Sequence, residues 1–233
     1  MASAELHVEP RLQYLIHASI QDDPREDVTY PIITELLLQH KHPDGRFTIY
    51  PQTSLRWRPE NPKDRREEVP DIGVGHFTGG SHFRMRFGIE SKRMVDEMRG
   101  LPEPWAPSLQ DGGVQDVFYN LFLQGEDQAK AAIIGGHTLS LGTLHYLLFV
   151  GPYFTSVKYG PFTQGQLQVC TLKRSDSDDY LESVKAMKRL SSSPTAHKLY
   201  LLGTRESATE IERILSLTDE LAEPFIQEAN NFQ

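Results

Sequence analysis

Apolar residues change their period along the chain, and each change marks an element. Ile32, Ile33, Leu36 and Leu37 recur at three- and four-residue steps, and Pro31 suits a first turn, so a helix is predicted over 29–40. His42-Pro43-Asp44-Gly45 then reads as a turn. Beyond it the period falls to two. Phe47, Ile49, Thr53, Leu55 and Trp57, with Pro51 among them, predict one strand or two short ones over 46–57. Ile72, Val74 and His76 alternate with Asp71, Gly73 and Gly75 in a second strand. Phe83, Met85, Phe87, Ile89 and Ser91 alternate with Arg84, Arg86, Gly88, Glu90 and Lys92 in a third. Between the first and second, Arg58 to Glu68 reads as a charged, proline-containing loop.

The helical period returns over 114–134, where Val117, Leu121, Ala129, Ala132 and Ile133 keep the spacing. Gly125 marks a potential break, and Gly135-Gly136 the stop. Leu144 to Tyr159 predicts a buried strand that continues past Gly151-Pro152 into a second. Gln166 to Leu172 reads as a further strand, 178–190 as a helix, 191–194 as a loop and 197–202 as a short strand. Ile211, Ile214, Leu215, Thr218, Leu221 and Phe225 outline a last amphipathic helix with acidic faces. The first 27 residues are polar and acidic and read as an adaptable lead-in, and 100–112 as a Pro- and Gly-rich loop. Neither a repeat nor a linker divides the chain, so 1–233 is taken as one domain.

Composition narrows the class. One cysteine, Cys170, excludes a disulfide framework and a zinc site built on several thiolates, and its apolar context suits inert core. No apolar run approaches the roughly 18 to 20 residues of a membrane span. The N-terminus lacks a basic region followed by an apolar stretch, so an intracellular, non-secreted protein is expected. Net charge is −8, unevenly placed: 43–99 hold 11 basic and 9 acidic residues, the rest 13 and 23. The overall field opposes nucleic acid, while a local basic patch could still bind it. None of the nine histidines shows metal-ligand spacing, although His76 and His82 flank a Gly-Gly turn and so could approach across it. There is no phosphate-cradling Gly-rich loop and no nucleophile elbow.

The third strand carries the chemistry. Its alternation predicts an apolar face, Phe83, Met85, Phe87 and Ile89, and a charged face with Arg84, Arg86, Glu90 and Lys92. Asp71 leaves the core face of the preceding strand, beside glycines that do not crowd it. If the two strands pair, Asp71, Glu90 and Lys92 share one surface. Two close carboxylates repel unless a cation sits between them. A hard divalent ion there can activate water and neutralise charge on a phosphodiester, with a lysine to orient the water.

Pro70-Asp71, eighteen residues, then Glu90-Ser91-Lys92 resembles the signature of the PD-(D/E)XK nuclease superfamily. The resemblance implies an α/β (α+β) fold with a restriction-endonuclease-like core: a central mixed β-sheet flanked by helices in αβββαβ order. That core would span 29–160, with 161–233 a C-terminal helical extension. It implies a nuclease dependent on Mg2+ or Mn2+, with Asp71 and Glu90 as metal ligands and Lys92 positioning and polarising water. Glu35, on the first helix, would be a further ligand, and the Ser91 carbonyl would complete the shell. Some members of the family place a glutamine in the helix after the third strand, a place for Gln128 or Gln115. Arg84, Arg86, Lys63, Arg65, Arg66 and Gln128 are the nucleic-acid contacts expected, with DNA put ahead of RNA. Ser91 departs from the pattern, since that position is commonly apolar. Its presence implies that the strand is ending or that its hydroxyl has a partner.

Each residue also has a plainer reading. Glu90 with Lys92 makes a same-face ion pair worth little if exposed, Asp71 a strand-entry residue, and Glu35 the wet flank of a helix. The rival function is a catalytically inactive module of the same fold that binds protein or nucleic acid. The acidic last helix, with its apolar stripe, would then dock a partner or complete a homodimer.

Overall fold

The structure is a computed structural model, and it describes residues 12–16, 29–39, 48–57, 66–78, 82–94, 98, 112–138, 142–169 and 198–219. Two periods in the sequence become two kinds of element, and their apolar faces meet in three layers. The strands are β1 (Thr48–Pro51), β2 (Leu55–Trp57), β3 (Arg66–Glu68), β4 (Ile72–Thr78), β5 (His82–Lys92), β6 (Leu144–Val150), β7 (Tyr153–Tyr159) and β8 (Tyr200–Leu201). The helices are α1 (Thr29–Gln39), α2 (Gly112–Ile134), α3 (Gln164–Val169) and α4 (Arg205–Asp219). A six-stranded sheet runs β1-β4-β5-β6-β7-β8, and β2 and β3 form a separate hairpin. All neighbours in the sheet are antiparallel except β5 and β6, which are parallel. A parallel pair needs a crossover, and α2 provides it. The chain is thus an α/β protein with a mixed sheet flanked by helices.

One face of the sheet is covered by α2. Val114, Phe118, Leu121, Phe122, Ala129 and Ala132 pack there on Met85, Tyr146, Leu148, Val150 and Val157. The other face is covered by α1, α4 and a helical stretch at 12–16. Ile32, Ile33, Leu36, Leu37, Ile211 and Ile214 meet Ile72, Val74, Phe87, Ile89, Leu147 and Phe149. Each fully buried Leu, Ile or Phe contributes about 1.5–3 kcal/mol by leaving water. Leu12 and Ile16 join this core, so part of the presumed lead-in is helical and packed.

Gly125 does not break α2. Its Cα lies against Tyr159 of β7, and a Cβ there would sit 2.8 Å from the phenol oxygen. Tyr159 donates to the carbonyl of Phe122 at 2.9 Å, so this glycine permits a close approach of strand and helix. The helix ends where expected: Gly136 has φ +67°, and His137 N–H donates back to the carbonyl of Ala132.

Other expectations are corrected. Residues 164–169 form α3, not a strand; Thr163 caps it, accepting from Gln166 N–H. Part of the presumed loop 58–68 is β3, paired with β2. The predicted helix at 178–190, the loops at 100–111 and 191–194, and Cys170 lie outside the described residues. Among the described residues, no helix is long and apolar enough to cross a membrane.

Candidate functional site

The largest departure from simple alternation occurs in β5, and it decides which charged residues meet. Val74 pairs with Phe87, but Gly75 pairs with Met85, so Arg86 is an extra residue without an opposite partner. This β-bulge reverses the facing of the strand. Phe83 and Met85 pack on the α2 side, whereas Phe87 and Ile89 pack on the α1 side. Gly75 is its counterpart on β4: a Cβ there would collide with the carbonyl of Arg84. The single charged face expected of Arg84, Arg86, Glu90 and Lys92 is therefore not formed. Arg84 alternates with Met85 and lies beside Gly136, and Arg86 is buried, with 8 % exposure.

Beyond the bulge the alternation is regular, and Glu90 faces α2. Ile72 pairs with Ile89, which sets Asp71 beside Glu90 at the mouth of the hairpin. Glu90 is 1 % exposed. Its Oε2 accepts from Gln128 Nε2 at 2.9 Å and from the Asp71 N–H at 3.3 Å. Its Oε1 accepts from Gln124 Nε2 and from Lys92 Nζ, the latter at 3.4 Å. Gln124 and Gln128 are one helical turn apart on α2, so both amides reach the same carboxylate. Asp71 is half-exposed, and its Oδ2 accepts from the N–H and the hydroxyl of Ser91, at 2.7 and 3.1 Å. Ser91 meets the site through these donors, so its hydroxyl has a partner. The Lys92 carbonyl accepts from Gly151 N–H, fixing the end of β5 to the β6–β7 turn.

Burial, followed by the charge of Asp71, pushes Glu90 up to about 7 from an ordinary 4.5. The hydrogen bond from Gln128, the ammonium of Lys92 and the Asp71 N–H oppose the rise without cancelling it. Burial, with Glu90 nearby, also holds the phenol of Tyr146 well above its usual range. A carboxylate so placed favours either a proton or a cation.

The donor set suits a hydrated hard ion rather than a protein cage. Mg2+ takes one or two carboxylates and keeps several waters. Asp71 and Glu90 provide two, and the Ser91 bonds leave Oδ1 of Asp71 open. Gln128 Oε1, buried beside them, has no hydrogen-bond partner, a place for a metal-bound water to donate. Among the described residues, no group of three or more His, Cys, Asp or Glu is placed to hold a metal. Glu35, half-buried on α1, does not complete such a group with Asp71 and Glu90.

Sequence reasoning therefore names Asp71, Glu90, Lys92, Ser91 and Gln128 among residues that meet, and misses Gln124. Its signal was its position one turn before Gln128. Gln115 lies one turn before Tyr119, near the start of α2 and far along it from Gln128. Lys63 and Arg65 lie outside the described residues, and Arg66 belongs to β3. Comparison of the chain with protein-family models, curated proteins and solved structures finds no match.

Proposed function

We propose that the protein is a metal-dependent nuclease of the PD-(D/E)XK type, built on a restriction-endonuclease-like core. The observation that carries this reading is the meeting of Asp71, Glu90 and Lys92 at the ends of two adjacent antiparallel strands. The order around them supports it: α1, the antiparallel strands β1, β4 and β5 with a hairpin inserted, α2, then β6 parallel to β5.

Asp71 and Glu90 would hold Mg2+ or Mn2+, which when bound supplies an acidic water and charge neutralisation at phosphorus. The chain's own residues prepare that place. Ser91 fixes Asp71 by two hydrogen bonds, and Gln128 fixes Glu90 by one. Lys92, held to Glu90 and half-exposed, presents an ammonium that orients water and offsets phosphate charge. The α2 layer keeps bulk water from Glu90, strengthening each of these interactions. The hydrogen bonds that occupy both oxygens of Glu90 favour the rival, a non-catalytic module, if the ion does not displace one of them.

Thermal unfolding with Mn2+ and Mg2+ separates the two readings. A bound ion stabilises the folded state by about 2.7 kcal/mol at a hundredfold excess over its dissociation constant. The nuclease reading expects a rise in Tm with either ion and no rise for the double variant Asp71→Asn, Glu90→Gln. An unchanged Tm for the wild type at saturating metal supports the inactive module.

A further inference from the structure

On the α2 side of the sheet, one row of residues crosses four strands. Tyr50 on β1 lies opposite Gly73 on β4, Gly73 opposite Gly88 on β5, and Gly88 opposite Tyr146 on β6. Ile49 packs into the core on the other face, so its neighbour Tyr50 lies on this one. Asp71 and Glu90 each lie two residues further along, about 7 Å at the rise of a strand. Both glycines give up their side-chain space to neighbours. A Cβ at Gly88 would collide with the Tyr146 ring. One at Gly73 would collide with the Thr53 hydroxyl and lie 3.0 Å from the Phe83 ring.

Phe83, half-buried over Gly73, stacks on Tyr50 with ring centroids 5.3 Å apart and planes inclined by 29°. Tyr146 is fully buried, whereas Tyr50 is 43 % exposed on an edge strand. The aromatic row thus begins in the core at Tyr146 and ends on the edge strand at the partly exposed Tyr50, two residues along from the row of Asp71 and Glu90.

We propose that Tyr50, backed by Phe83, is a stacking subsite for an unpaired base of single-stranded nucleic acid. The placing of the neighbouring phosphodiester at Asp71 and Glu90 rests on the nuclease reading. An aromatic face binds any base that is free to leave its neighbours, which an unpaired strand offers and an intact duplex does not. Charge points the same way. A chain of net charge −8 attracts a phosphate backbone weakly, and Arg86, the residue at the bulge, is buried. A stacking contact, which does not depend on charge, then adds affinity that the overall field does not supply.

The test measures binding, not cleavage. A fluorescent oligonucleotide of about 12 nucleotides, single-stranded or in duplex, is titrated with the Glu90→Gln protein in Ca2+. The further changes Tyr50→Phe, Tyr50→Leu and Tyr50→Ala are compared, all at an exposed position outside both core clusters, with a thermal melt of each to confirm folding. The expected result is tighter binding of the single strand than of the duplex. Tyr50→Leu and Tyr50→Ala should weaken single-strand binding about 5- to 100-fold, and Tyr50→Phe less than about twofold, since the ring remains. Unchanged affinity in Tyr50→Ala, equal losses on duplex and single strand, a loss in Tyr50→Phe as large as in Tyr50→Ala, or no binding would each overturn the proposal. Wild-type cleavage in Mn2+ is scored separately. Tyr50-dependent binding without cleavage keeps the subsite and removes the nuclease reading. Cleavage with Tyr50-independent binding does the reverse.

Discussion

A buried carboxyl and a half-buried imidazole pull the stability of the metal-free protein in opposite directions as pH changes. Glu90 is raised to about 7 from 4.5, by burial first and then by Asp71. The folded state therefore holds its proton where the unfolded chain has lost it, and this contribution is lost as pH rises from about 4.5 to 7. His145, on β6 below α4, is lowered to about 4 from 6.5, by burial first and then by Lys158 and Arg213, with Glu210 opposing. Its neutral form belongs to the folded state, so its contribution is lost as pH falls from about 6.5 to 4. Between these limits the two slopes oppose each other. Glu90→Gln should leave a Tm that climbs more steeply with pH over that range than in wild type, and His145→Gln one that falls. Identical slopes in all three proteins, measured by thermal melts in buffers of matched ionic strength, would show that neither group is displaced. Metal affinity should rise as pH increases through about 7, because the ion and the proton compete for Glu90.

At the scale of elements, the close contact of β5 with β6 depends on Gly88. An alanine there must push against the Tyr146 ring, which is fully buried and stacked edge-on against Tyr159. Overpacking of this kind costs about 1–3 kcal/mol. Gly88→Ala should lower the urea midpoint accordingly and weaken Mn2+ binding, since Glu90 is two residues away. A midpoint equal to wild type would mean that the ring moves freely. The same strand shows how far the sequence is legible. Period two located β4 and β5, and the pairing put Asp71 beside Glu90. The bulge was hidden because apolar residues keep every second position from Phe83 to Ile89, so the sequence alternates regularly through it. Gly75 was its one trace. The hairpin of β2 and β3 was half-visible: Leu55 is fully buried, but β3 is the charged Arg66-Glu67-Glu68, which has no apolar alternation. In α3, Leu167 and Val169 suggested alternation, while its capping threonine outweighed so short a pattern. Gln128 was found through a family habit and Gln124 was not, because a helix-surface glutamine carries no mark until its partner strand is placed.

For the whole molecule, the site and the far side of the core are separable. The apolar residues of α4, Ile211, Ile214 and Leu215, are buried against the molecule's own core, so this part of the stripe is already used within the chain. Glu210 accepts from the hydroxyl of Ser156 on β7, fixing α4 to a strand three places from β4 in the sheet, and from Arg213 of its own helix. Ile211→Ala should destabilise the fold by about 2–5 kcal/mol. Below its melting range it should leave Mn2+ affinity within about twofold, since α4 packs on the face of the sheet opposite the one Glu90 faces. A large loss of affinity in the folded variant would mean that the two sides are coupled. Chemistry is the more direct test, and Lys92 the residue to use. It neither completes the carboxylate pair nor fills the core, so its removal should act on the transition state more than on binding. Cleavage of labelled single- and double-stranded DNA and of RNA is followed in Mn2+, with wild type, Lys92→Met and a chelator control in parallel. The expected result is cleavage by wild type that chelation abolishes, and a turnover at least about 100-fold lower in Lys92→Met, with Mn2+ still raising its Tm. No cleavage of any substrate by wild type, or equal rates for Lys92→Met, would contradict the assignment of Asp71, Glu90 and Lys92 as a nuclease site.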